Sequence, residues 1–128
     1  VNKEIAFKWA SALRASPELQ TQDVLAEDGG YCALGILCNI YCEEVEDIAH
    51  RCENGLIDGF WDRSRADPSR TAVMLTAGMP LDVMVWAGME DESGILISDM
   101  NDGARVFSGT PRTFPQIADF IQANHETL

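Results

Sequence analysis

The sequence predicts a mainly α fold, a compact single domain over residues 1–128 that is at most α+β with a small sheet. Three observations carry that expectation. Apolar residues recur at helical spacing in several separate segments, and Gly and Pro punctuate the gaps between them. A chain of 128 residues with 46% hydrophobic content and a mean hydropathy of -0.09 is long enough for a core of its own. There is no internal repeat, low-complexity tract or interdomain linker to divide it.

Residues 2–15 read as an amphipathic helix. Ile5, Trp9, Ala12 and Leu13 fall on one face, while Lys3, Lys8 and Arg14 lie off it. Asn2 is placed as its N-cap, and Ser16-Pro17 supplies the stop. Residues 17–30 form a loop with an extended piece at Asp23–Ala26 before the turn signal Asp28-Gly29-Gly30. The run Tyr31–Cys42 then packs three of the four cysteines, both tyrosines and a set of aliphatic side chains into twelve residues. Positions 34, 37, 38, 41, 45, 48, 49 and 52 keep helical period, so the expectation is a helix over 31–53, with a break near Cys42 as a variant and Gly55 as its terminator. Gly35 inside that helix costs about 1 kcal/mol against alanine, which points to a close helix crossing there.

Gly55, Gly59 and Pro68 make 56–72 irregular, with Phe60 and Trp61 to pin it and Arg63, Arg65 and Arg70 as its basic cluster. Val73–Thr76 reads as extended. After Pro80, Leu81, Val85 and Trp86 form a short helical face that Gly88 ends. For 95–102 the expectation is a short helix capped by Ser93 and closed by Gly103, with a strand as the alternative. The last helix carries a capping box, Thr113 with Gln116, and an apolar face of Phe114, Ile117, Ala118 and Ile121. The predicted core joins these stripes: Trp9, Cys32, Leu34, Leu37, Cys38, Tyr41, Trp86, Phe114, Ile117 and Ile121.

Twenty-one acidic against nine basic residues give a formal charge of -12. That surface repels phosphates and anionic headgroups, which argues against direct nucleic-acid or membrane binding and suits a basic protein partner. The densest acidic stretch, Glu43, Glu44, Glu46, Asp47, Glu53 and Asp58, reads first as a solvated helix face. The first fifteen residues are charged and lack an apolar stretch, and no run reaches the ~20 apolar residues of a bilayer span. The expectation is a cytoplasmic protein with reduced thiols.

Cys32 is the best candidate nucleophile, because a thiol near a helix N-terminus is stabilised as thiolate. A cysteine hydrolase also needs a base, and His50 and His125 are both badly spaced for that role. In this alternative reading Asn101 and Asp102 are brought beside Cys32 by the fold. A metal reading would use Cys38, Cys42, His50 and Cys52, of which Cys38 and Cys42 share a helix face, but no Cys-x-x-Cys knuckle is present. Small buried core thiols account for the same residues. Asp99–Gly103 has a faint likeness to a calcium loop, yet Thr110 occupies the place of the distal Glu, and a helix exit explains Asn101-Asp102-Gly103 more simply. The carboxylates Asp99 and Asp102, and Glu90, Asp91 and Glu92, invite an acid–base or Mg²⁺ reading without a motif behind it. There is no phosphate-binding loop, dinucleotide Gly pattern or Ser nucleophile elbow. The residues call for no cofactor.

Several blocks resemble a known pattern. Trp9–Arg14 resembles a W-x-x-A-L-R-S opening, and Tyr31–Cys38 resembles [FY]-C-C-L-G-V-L-C. Pro80–Met89 resembles P-x-x-V-x-x-W-x-G-L, and Ile97–Asp102 with Thr113–Ile121 resembles L-x-x-L-N-D followed by T-F-x-x-I-A-D-x-I-E. In this order the blocks resemble a family of small uncharacterised proteins of tailed bacteriophages and prophages. Ala33 stands in place of the second cysteine, which weakens a metal reading through adjacent thiols, and Gln122 in place of the final acid. The resemblance implies a bacterial host cytosol and an accessory protein acting on host or phage proteins. Two readings follow: a non-enzymatic protein-interaction module, and a thiol-dependent enzyme centred on Cys32.

Overall fold

Asn2 can start a helix because its side chain replaces a missing backbone acceptor, and its Oδ1 accepts from the Glu4 amide at 2.9 Å. The computed structural model describes residues 1–23, 25–27, 30–45, 81–104 and 109–128. Helix α1 (Lys3–Ala15) ends at Ser16, and Pro17 opens a single 3-10 turn over Pro17–Leu19. Its buried face is Ile5, Ala6, Trp9, Ala10 and Leu13. Ala12, expected inside, turns to the edge and is half-buried.

Strands β1 (Ala26–Glu27) and β2 (Gly30–Tyr31) pair antiparallel, Ala26 opposite Tyr31 and Glu27 opposite Gly30. The extended piece therefore starts later than the expected Asp23. Asp23 itself takes a left-handed φ of 69°, which a strand cannot absorb and which Asp tolerates better than most residues. The turn signal at Asp28-Gly29 lies outside the described residues.

Helix α2 (Ala33–Glu44) is shorter than the expected 31–53 at both ends. Tyr31 belongs to β2, where its carbonyl accepts from Thr21 N at 2.8 Å. At the far end Val45 leaves helical geometry at φ -119°, ψ 77°. The expected stop at Gly55, the loop 56–72 with its aromatic and basic residues, the extended 73–76, Pro80, and the acids Glu46, Asp47, Glu53 and Asp58 lie outside the described residues. Every residue from Ala33 to Tyr41 is buried, which makes α2 the central helix, surrounded rather than amphipathic. Gly35 is needed for a close approach, but not to another helix. A Cβ there would lie 1.9 Å from the Leu25 carbonyl oxygen, so the strand-side backbone fills the space.

Helix α3 (Leu81–Ala87) ends at Gly88, φ 66°. Its buried residues are Val83, Met84 and Ala87, whereas Val85 is 72% exposed, so the expected face is rotated. Trp86 is half-buried and tilts against Tyr41, ring centroids 5.2 Å apart. Helix α4 (Asp91–Asp102) settles 95–102 as helix, starting two residues before the expected cap Ser93, with Glu90 at the N-cap. Ile97, Met100 and Asn101 face inward. Gly103 closes α4 in the left-handed region, φ 75°, its amide returning to Asp99 O at 3.0 Å. Helix α5 (Phe114–Asn124) has the expected capping box and buries Phe114, Ile117, Ala118 and Ile121.

The fold is mainly α. α1 packs most extensively on α5, and α2 is flanked by α1, α3 and α4. Arg14 Nη2 joins α1 to α5 through Asp119 Oδ1 at 2.6 Å and Gln122 Oε1 at 2.7 Å. Inside, the Trp9 indole finds its acceptor in the Ala33 carbonyl at 2.8 Å, so a large polar-tipped side chain is buried without an unpaired N–H. Among the described residues no helix is long and apolar enough to cross a membrane.

Two substitutions in α2 test this packing by chemical denaturation. Leu37 is fully buried, so Leu37→Ala should cost ~2–5 kcal/mol; a change within about 0.5 kcal/mol would place Leu37 outside the core. Gly35→Ala should also destabilise, although it gains about 1 kcal/mol of helix propensity, because the methyl collides with backbone. A stabilised Gly35→Ala protein would show that Leu25 does not sit on the helix.

Candidate functional site at the start of helix α2

A helix begins with amides that no upstream carbonyl of its own can satisfy, and Cys32, the N-cap of α2, stands at that point. Cys32 N donates to Leu25 O at 3.2 Å. The Ala33 amide donates to Asn101 Oδ1 at 3.1 Å, and this bond is buried. The amides of Leu34 and Gly35 act on the Cys32 sulfur. The start of α2 is thus supplied with acceptors by the β1 side and by α4, while the Cys32 side chain makes no cap hydrogen bond.

Asn101 spends its amide group on several segments at once. Oδ1 also accepts from Gln20 Nε2 at 3.2 Å, while Nδ2 donates to Thr21 O at 2.7 Å and to Asp102 Oδ1 at 2.8 Å. The residue is fully buried. Gln20 extends the network, donating to Arg112 O at 2.6 Å and accepting from the Phe114 amide at 3.0 Å. Asp102 Oδ1 receives the Asp23 amide at 3.0 Å and so holds the left-handed turn.

The fold therefore does bring Asn101 and Asp102 to the Cys32 region. Asn101-Asp102-Gly103 is the helix exit that the sequence suggests, with Gly103 making the reversal; what the sequence does not show is that Asn101, in the last turn of α4, faces inward and is buried. Gln20 was missed altogether. The only sequence signal for it is a Gln between a Pro-initiated turn and an extended piece, which is too common to select it.

Burial pushes the Cys32 thiol up to about 11. The Gly35 and Leu34 amides pull the other way, and the Asp102 carboxylate adds to the rise. Desolvation outweighs the helix terminus. Burial also holds Cys38 well above an ordinary thiol, and Cys38 is fully enclosed. Of the histidines, His125 caps the end of α5 with its ring edge on Phe7, centroids 6.2 Å apart, and His50 lies outside the described residues. Cys32, Cys38 and Cys42 are thiols rather than disulfides. Of the metal reading, Cys38 and Cys42 are described, the second half-buried, and Cys52 is not; among the described residues no three His, Cys, Asp or Glu side chains are grouped to hold a metal. Asp99–Gly103 is the end of a helix, not a loop of alternating ligands.

Asn101→Asp separates shape from hydrogen bonding. It keeps the volume and one acceptor but points a carboxylate oxygen at Thr21 O and Asp102, so we expect a loss of about 2–5 kcal/mol at neutral pH. Asp102→Asn should cost under about 1 kcal/mol, since an amide oxygen still accepts from Asp23 and Asn101. Equal costs for the two would mean that the network does not carry the junction. A thiol that ionises near 9.0 unfolded and near 11 folded stabilises the protein below pH 9 and loses that contribution as pH rises through 11. Denaturation between those pH values should show that decline, smaller in Cys32→Ala; an identical pH profile for the variant would refute it.

The sequence matches, over residues 1–125, the model of a family described as "Domain of unknown function (DUF8296)". No curated protein and no solved structure matches the chain. With the match running from the start of α1 through the end of α5, the chain belongs to the DUF8296 family.

Proposed function

We propose that this protein is a non-enzymatic interaction module, a small accessory protein of phage type that binds a basic host or phage protein in the bacterial cytosol. The observation that carries the reading is the state of the best nucleophile. Cys32 is 6% exposed, its thiol is pushed up to about 11 by burial that outweighs the Gly35 and Leu34 amides, and the first amide of the helix, Ala33 N, is already bonded to Asn101. A nucleophile needs a thiolate, access and donors left open for the developing charge. The arrangement supports a helix junction instead. The formal charge of -12 favours a basic protein over nucleic acid or anionic lipid, and the ordered blocks from Trp9 to Ile121 support the phage-type assignment.

Immobilised full-length protein should retain specific proteins from bacterial lysate, identified by mass spectrometry, with retention falling as salt is raised. In the same preparation Cys32 should resist iodoacetamide near neutral pH. Rapid stoichiometric labelling of Cys32 in the folded protein would overturn the reading and restore the thiol-enzyme alternative.

A further inference from the structure

We draw no further inference here: the strongest candidate, the open apolar hollow between α1 and α2 lined by Phe7, Ala12 and Ile40, carries nothing, because nothing in the structure shows what covers it and the carboxylates Glu4 and Glu44 at its rim are bonded to Lys8.

Discussion

A fully buried side-chain amide lies where the segments of this domain converge. The two ends of the Asn101 amide bond Ala33 N at the head of α2 and Thr21 O in the loop before the hairpin. Through Gln20 the same cluster reaches Arg112 and Phe114 at the head of α5. Apolar packing can bring α2, α4 and α5 together at many rotations, because methyl groups have no direction. Four bonds on one planar amide fix a single arrangement, and each partner left unpaired in an apolar interior carries its full desolvation cost. The polar junction thus sets the register that the hydrophobic faces alone leave loose.

The same junction encloses a promising cysteine and raises its thiol. A helix terminus lowers a thiol only where its amides face the sulfur and solvent supports the anion. Here the head of α2 is sealed by the Leu25 carbonyl, whose closeness requires Gly35, and by Asn101 from α4. Sealing pairs the Cys32 and Ala33 amides and removes the water a thiolate would need. The dipole is present, yet burial prevails and the thiol rises to about 11. Proximity of Cys, Asn and Asp in space is therefore compatible with a purely structural role; protonation state and access decide between the two.

What could be read from the sequence follows how local the determining physics is. The caps of α1 and α5 and the close of α4 at Gly103 were legible because capping involves residues within a few positions of each other. The inward face of α5 was legible from period, and that of α1 apart from Ala12, which turns to the edge. The face of α3 was not, since seven residues give two turns and Val85 and Val83 are equally apolar; only the neighbours choose Val83. The start of α2 was misplaced for a similar reason: Tyr31 is drawn into a strand by Ala26 and Thr21, partners invisible to helical period. Asn101 shows the limit most clearly. Its chemistry suits a turn or a buried hub equally, and the choice depends on Gln20, eighty-one residues away in sequence.

Surface and interior then divide the protein's chemistry. Inside, the side chains of Asn101, Gln20 and Asp102 are bonded to one another and to backbone, while the Thr21 hydroxyl is buried without a partner among the described residues. Outside, the α1–α2 pair exposes the Phe7 ring beside small side chains and the ion pairs of Lys8 with Glu4 and Glu44. The two share α2, which packs on both α1 and α4. Under the interaction-module proposal a surface needs rigidity more than reactivity, because a preformed face spares a partner part of the ordering cost of binding. A buried hydrogen-bonded junction is a direct way for a domain of this size to hold that shape.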